Sequence, residues 1–296
     1  MQKIVPCLWF DSNAEEAVDF YDSVFKKSKI GIITRYDAGS AAVSGQPKGS
    51  VLTVSFKLMG QDFLALNGGP VFKFSPAISF FVYCKTKPAI DYLFKKLSQN
   101  GEILMPLDKY PFSERYAFLK DKFGVAWQLI LSPSQPHITP CLLFVGKDLG
   151  KAESAIKFYT AQFKYAHIDH ILYYGKGETG KAGSIKHASF FLEGQEFVAM
   201  DGSGPHKFGF NESISFVINC DTQDEIDTYW QKLTKGGEQS QCGWLKDKFG
   251  VSWQIVPIEL DGMLNDKDAK KSERVMTELL KMHKLDIKKL KQAYEK

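Results

Sequence analysis

LKDKFGVAWQLI at residues 119–130 returns as LKDKFGVSWQIV at residues 245–256, with three of the twelve positions changed, each conservatively. A near-identical segment recurring at this distance is the signature of a duplicated domain. Each copy reads as a strand, a tight turn and a returning strand, with Gly124 or Gly250 where the turn needs a positive φ. In the returning strand Val125, Trp127 and Leu129 alternate with Gln128, and Val251, Trp253 and Ile255 alternate with Gln254. The two-residue period puts each glutamine on the face opposite its tryptophan. A neutral amide looks out from that face in both copies.

The correspondence extends outward from this segment. IVPCLWF (4–10) matches ITPCLLF (138–144), and both precede an amphipathic helix containing Phe-Tyr, at 14–25 and 152–163. Ser12 or Asn13 is the expected N-cap of the first helix. Strands follow at 29–36 and 166–174, then hairpins of 50–58 with 62–67 and 184–192 with 196–201, turning at Gly60-Gln61 and Gly194-Gln195. Beyond Pro70 and Pro205 the order begins again: strands at 77–84 and 213–220, helices at 88–99 and 223–235, and three more strands. The chain therefore reads as four βαβββ modules. Domain boundaries are expected at 1–133 and 137–258, joined by the proline-rich SPSQPH linker (132–137), with a helical tail over 261–296. The tail carries Val275, Met276, Leu279, Leu280 and Met282 and then Leu290 and Tyr294, an apolar stripe suited to its own sheet, a neighbouring subunit or another partner.

Composition bounds the function. The 296 residues are 44% hydrophobic and 24% charged, an ordinary globular balance, and the net charge of +4 is too small and too concentrated in the tail to argue for nucleic acid. No segment approaches the ~20 apolar residues of a membrane span. Five cysteines without a CxxC pattern fit a reducing compartment, so the expected location is the cytoplasm.

This module order, the LKDKFGVxWQ hairpin and the SQCGWLKDKFG segment (240–250) resemble the vicinal oxygen chelate superfamily, the glyoxalase and bleomycin-resistance fold. The match is to its PhnB-like branch, which often carries a "3-demethylubiquinone 3-methyltransferase" label. The resemblance implies an α+β fold: two tandem glyoxalase-like domains, each of two βαβββ modules forming one curved sheet around a cavity, plus the helical tail. The fused repeats would mimic, in one chain, the homodimer of single-domain relatives; further homodimerisation is an open expectation.

Metal-using members of that superfamily place a histidine in the first strand, a histidine or glutamate in the hairpin strand and a glutamate in the last strand. By the resemblance these positions fall here in IVP and ITP, near Thr53 and His187, and at Gln128 and Gln254. An amide offsets little of the cost of desolvating a divalent cation, so no complete metal site is expected and His187 is the one weak candidate ligand. The methyltransferase label also lacks its expected chemistry. GKGETG (175–180) has the GxGxxG form, but GSIKHASFFL after it reads as a strand, whereas a phosphate-cradling turn must open a helix.

The candidate ligand-binding residues are His187, Asp201, Phe208, Ser215, Cys242, Trp244 and Gln254 in the second repeat, and Asn67, Phe74, Ser79 and Gln128 in the first. Asn67 and Asp201 read equally as turn residues or as the cavity mouth. Phe74 and Phe208, each near a lysine in the loop between modules, read as lids or plugs. His167 and His170, three apart on one strand, are expected on opposite faces in solvent. Cys242 lacks a neighbouring base to activate it. The second repeat is favoured as the site because homology would gather His187, Cys242, Trp244 and Gln254. Three functions follow: a metal-independent small-molecule binder or sequestering protein; a metal-dependent lyase, isomerase or dioxygenase; or an interaction protein acting through its tail.

Overall fold

The computed structural model describes residues 2–296. The first module contains β1 (Ile4–Phe10), α1 (Ala14–Val24), β2 (Lys29–Arg35), a short α2 (Ala38–Ser44), β3 (Val51–Leu58) and β4 (Gln61–Asn67). The second contains β5 (Ile78–Cys84), α3 (Lys87–Leu97), β6 (Glu102–Tyr110), β7 (Ser113–Lys120) and β8 (Ala126–Leu131). The third contains β9 (His137–Phe144), α4 (Ala152–Gln162), β10 (His167–Tyr173), β11 (Ile185–Leu192) and β12 (Gln195–Asp201). The fourth contains β13 (Ile214–Cys220), α5 (Gln223–Thr234), β14 (Glu238–Gln239), β15 (Trp244–Lys246) and β16 (Ser252–Pro257). The tail is α6 (Leu260–Leu264), α7 (Ala269–Leu279) and α8 (Ile287–Glu295).

The four modules build two eight-stranded sheets, as the resemblance implies, but not one sheet per repeat. The strand orders are β14-β15-β16-β13-β1-β4-β3-β2 and β10-β11-β12-β9-β5-β8-β7-β6. The first, sheet A, joins the first module to the fourth through antiparallel β1 and β13. The second, sheet B, joins the second module to the third through antiparallel β5 and β9. Each repeat is thus divided between the two sheets. The loops that carry the chain from one sheet to the other touch where they cross, Ser75 Oγ donating to the Gly209 carbonyl at 2.9 Å and Asn211 Nδ2 to that of Lys73 at 3.0 Å.

One hydrophobic core lies between the sheets and takes in the inner faces of α1, α3, α4 and α5. Phe63 of sheet A meets Phe80 of sheet B with ring centroids 5.2 Å apart, and Phe197 meets Phe216 at 5.3 Å. Trp127 and Trp253 are fully buried there, on the face the alternation assigns to them.

The duplicated segment owes its sequence to a buried carboxylate. Asp121 Oδ1 accepts the backbone N–H groups of Phe123 (2.9 Å) and Val125 (3.1 Å), while Oδ2 accepts Trp127 Nε1 (2.8 Å) and the Tyr21 hydroxyl (2.7 Å). Asp247 repeats this with Phe249, Val251, Trp253 and Tyr159 at 2.7–3.1 Å. Bringing the amides two and four residues onward back to one oxygen closes the turn, and Gly124 (φ 92°) and Gly250 (φ 87°) supply the left-handed step. Burial pushes both carboxyls up from the ordinary range, against the pull of four donors each.

Local details depart from expectation in two places. The side chain of Asn13 does not cap α1; instead Asn67 reaches over from β4 and its Oδ1 accepts the Ala14 N–H at 2.8 Å. The hairpins turn one residue earlier than expected, at Met59-Gly60 and Glu193-Gly194, where both residues of each pair have positive φ, as a type I′ turn requires.

Asp121→Asn or Asp247→Asn keeps the shape but gives one acceptor oxygen for four buried donors. Each is expected to lower stability by about 3 kcal/mol, as unsatisfied buried donors do. Urea unfolding monitored by tryptophan fluorescence checks this; a loss below about 1 kcal/mol for both would refute the clamp.

Candidate ligand-binding site

Each sheet has a second face, turned away from the core, on which the glutamines lie. On sheet B this face curls strongly. Phe81 of β5 and His187 of β11 are separated by β9 and β12, about 14 Å on a flat sheet, yet their ring centroids are 6.0 Å apart. The curled face combines an aromatic and apolar cluster, Phe81, Tyr116, Cys141 and Val198 flanked by Tyr83, Tyr110 and Phe118, with a row of polar groups.

Gln128 is fixed within it. Its Nε2 donates to Ser79 Oγ at 2.9 Å and its Oε1 accepts the Tyr116 hydroxyl at 2.6 Å. Both ends of the amide are therefore oriented, and burial beside them raises the Cys141 thiol to about 12, so it stays protonated. Further along, Glu196 accepts from His137 Nε2 (3.2 Å), Thr139 Oγ1 (3.2 Å) and Ser189 Oγ (2.7 Å). The His137 ring stacks on Tyr83 at 4.3 Å, and its Nδ1 meets the Gln135 carbonyl at 2.7 Å. Two acceptors facing two ring nitrogens call for an imidazolium, and the hydrogen bond to Glu196 raises the His137 pKa accordingly. Burial pushes the Glu196 carboxyl up, but its donors outweigh that and the net direction is down.

His187 sits in a different setting. Its Nδ1 lies 3.0 Å from His170 Nε2, and His170 Nδ1 lies 2.9 Å from Asp169 Oδ2. Burial, with His170 alongside, lowers the His187 pKa to about 4. His170 is exposed, as expected, but it does not lie on the face opposite His167. A β-bulge between Ile168 and His170 resets the alternation, so His167 stacks on Phe191 and His170 on His187, both partners on one face of β11.

Sheet A presents the counterpart face, and there the chain covers itself. Gln254 Nε2 donates to Ser215 Oγ at 2.9 Å beside a cluster in which Trp9 meets Phe72 at 5.0 Å and Trp244 at 5.8 Å. The tail cluster of Leu260, Met263, Val275, Met276, Leu279, Met282, Leu285 and Leu290 packs on Leu52 of β3, Cys242 and Val256 of β16, spanning both halves of the sheet. Val256 shares its strand face with Gln254. Backbone bonds from Cys242 to Met282 (2.7 Å) and Gly243 to His283 (2.8 Å) pin the tail. It lies where the fourth module is short: β14 and β15 have two and three residues, while β6 and β7 have nine and eight.

The expected grouping of His187 with Cys242, Trp244 and Gln254 is corrected by this topology. His187 belongs to sheet B with Ser79 and Gln128 of the other repeat; Ser215, Trp244 and Gln254 belong to sheet A. Cys242 is held under the tail, its Sγ 3.7 Å from the Leu279 carbonyl and its pKa raised by burial, the opposite of an activated thiol. Asn67 and Asp201 spend their side chains on backbone. Asn67 bonds Ala14 N–H and the Val51 carbonyl, and Asp201 bonds the N–H groups of Gly150, Ala152 and Ile185. Phe74 packs on Phe10, and its structural counterpart is Phe210, which packs on Phe144; Phe208 lies against His206 instead. The neighbouring lysines had suggested a register two residues off. Tyr116, His137, Thr139 and Glu196 complete the sheet B face with His170 and were not among the candidate residues, although strand alternation already aligns His137 and Thr139 with Cys141.

The donor set does not fit a divalent metal. At the family's positions stand a proline strand, an amide committed to Tyr116 and Ser79, and one imidazole. Among the described residues no three His, Cys, Asp or Glu side chains converge as ligands. The GxGxxG-like segment is the loop between antiparallel β10 and β11, with no helix behind it to receive a phosphate.

His187 and His137 on this face should respond oppositely to pH. A histidine whose pKa falls from 6.5 to about 4 on folding contributes stability that is complete above pH 6.5 and lost as pH falls toward 4. His137, raised on folding, contributes below pH 6.5 and loses its contribution as pH rises. His187→Gln should therefore remove about 3 kcal/mol of the wild-type loss between pH 6.5 and 4. Urea midpoints across that range measure it; equal acid sensitivity in both proteins would show that His187 is not buried neutral.

Comparison with known proteins agrees with this architecture. The family model described as 3-demethylubiquinone-9 3-methyltransferase matches twice, over residues 2–130 and 136–256. A PhnB protein from Bacillus cereus is 44% identical over 44% of this chain and 100% of its own, with a TM-score of 0.41. A Staphylococcus aureus protein is 35% identical over 45% of this chain and 97% of its own, with a TM-score of 0.19. Glyoxalase I from Zea mays spans both repeats, covering 86% of this chain and 93% of its own at 12% identity and a TM-score of 0.52, a likeness of fold alone. No curated protein matches the chain. The two matches together take in most of the sequence, so the chain belongs to the PhnB-like 3-demethylubiquinone-9 3-methyltransferase family, in the glyoxalase fold, and carries the family's domain twice in tandem.

Proposed function

We propose that the protein binds a small organic molecule on the curled face of sheet B, without a resident metal. The observation that carries this reading is the contrast between the two faces: on sheet A the tail packs on Leu52, Cys242 and Val256, whereas sheet B sets oriented polar groups among aromatic walls. Such a mixture, largely apolar with a few fixed donors and acceptors, is what small-molecule sites require. Tyr116 and Gln128 would orient a polar substituent, and Phe81, Tyr83 and Phe118 would hold an aromatic or alicyclic body. The side chains needed belong to the second and third modules, so both repeats contribute to one site. A transferase reading finds no support in the loop at residues 175–180, which lacks the helix that an adenosine cofactor's phosphate-type cradle would use.

A metal-dependent lyase, isomerase or dioxygenase is the second reading, favoured by the imidazole of His187 on this face. Metal content after purification without chelator, and after addition of zinc, manganese, iron or nickel, decides between them. The proposal expects no stoichiometric ion. One ion per chain, lost in His187→Ala, would replace it with the metal-dependent reading. In a thermal-shift screen of small aromatic and alicyclic compounds, hits should weaken roughly tenfold or more in Gln128→Leu and be unchanged in Gln254→Leu. The reverse pattern would move the site to sheet A.

A further inference from the structure

The polar row on sheet B contains one group that no hydrogen bond within the chain uses: among the described residues His187 Nε2 has no partner, while its Nδ1 is committed to His170. The chain of partners fixes where the protons are. The Asp169 carboxylate can only accept, so His170 Nδ1 carries a hydrogen toward it at 2.9 Å. With His170 neutral, its Nε2 is a bare acceptor, and the 3.0 Å contact then requires His187 Nδ1 to be the donor. His187 Nε2 is left as a bare lone pair. The ring stands against Phe81, while the Asp169 and His170 side chains remain about half exposed to solvent.

We propose that Asp169, His170 and His187 form a proton relay that lets His187 Nε2 take the proton of a weakly acidic hydroxyl, such as that of a phenol, held on this face. The proposal rests on the ligand-binding reading above and adds the class of ligand. The step balances without a further reagent. The ligand O–H bond breaks and leaves its electron pair on oxygen, as the proton joins His187 Nε2. The proton on His187 Nδ1 passes to His170 Nε2, so His187 ends neutral and His170 becomes an imidazolium beside Asp169. Positive charge is thereby moved from a half-apolar face to a solvated pair, where it costs less. Burial disfavours a charge on the inner ring, which is why the outer ring matters: without His170 the inner base would have to keep the charge itself. The charged or titratable groups facing His187 are His170 from β10 and Glu196 from β12, and Glu196 is already engaged by His137, Thr139 and Ser189. His187 is the residue that would touch the ligand; His170 and Asp169 act through it as positioning residues.

Two measurements on the full chain test the relay. Nitrogen NMR of the histidine side chains, without ligand, should find His187 protonated on Nδ1 at neutral pH, and His170→Phe should release that tautomer. Para-nitrophenol, whose phenolate absorbs in the visible, should bind the wild type with its apparent pKa lowered by about one unit or more. His170→Phe should lose that shift and, with it, the roughly tenfold tighter hold on phenolate than on phenol, and His187→Gln should abolish the shift likewise. An Nε2-protonated His187 in the wild type, or phenol bound without ionisation, would overturn the relay and leave the binding reading standing. Absence of binding by any aromatic hydroxyl compound, with other ligands still lost in Gln128→Leu, would overturn the ligand class alone. No binding on this face at all would overturn both.

Discussion

Two buried carboxylates hold the molecule's halves together. Asp121 and Asp247 each stand in the turn of one module and accept a tyrosine hydroxyl from a helix of the module before it. Because consecutive modules of a repeat lie in different sheets, each carboxylate joins sheet A to sheet B. Burying such a group is costly, and the cost is met only when every lone pair finds a donor. That demand accounts for the DKFGVxW pattern: amides at the second and fourth positions onward, a glycine that turns them inward, and an indole at the sixth. The identity of the two copies follows from the stringency of that geometry, and no ligand is needed to explain it. The glutamine after each tryptophan is a separate matter, since it faces the other way and bonds to Ser79 or Ser215.

The two outer faces share a plan and differ in what covers them. In the second module a nine-residue β6 and eight-residue β7 extend the edge of sheet B and bring Tyr110 and Tyr116 to the curled face. In the fourth module that hairpin is cut to a few residues, and the space is taken by α7 and the segment leading to α8, fastened to Cys242 and Gly243. The tail therefore stands where the second module has its longer hairpin. Its methionines and leucines fill irregular space over the short strands, a task for which flexible apolar side chains suit. The position corresponding to Tyr116 is held by Cys242, so Gln254 lacks the phenol that orients Gln128.

Much of this was legible in the sequence because it depends on short-range periodicity. The module order, the inward tryptophans and outward glutamines, and the left-handed glycines follow from alternation and turn chemistry within a dozen residues. Sheet composition does not. Whether β1 pairs with β5 or with β13 depends on how a ten-residue loop crosses between the sheets, and neither strand's sequence records it. The role of Asn67 was hidden likewise, because a helix cap supplied from a strand over fifty residues away leaves no local pattern. His170 was misplaced by a single bulge, which shifts every subsequent side chain to the other face.

The crossing of modules also changes which comparison is informative. Aligning repeat with repeat sets Gln128 against Gln254 and finds them alike, and it gathers His187 with Cys242 and Trp244, which the fold places on another sheet. Aligning face with face sets modules two and three against four and one. Gln128 then shares its face with the histidines and Glu196 of module three, whereas Gln254 shares its face with Trp9 of module one. Each face draws on both repeats, so a change in one repeat alters half of each face and neither face can diverge as a unit. The asymmetry between the faces arises where unlike modules meet: imidazoles and a carboxylate against an aromatic wall on sheet B, two indoles and a phenylalanine on sheet A. Chemistry that needs a proton acceptor is confined to the first of these by composition, because the described polar groups beside Gln254 are a hydroxyl and a thiol that burial raises to about 12.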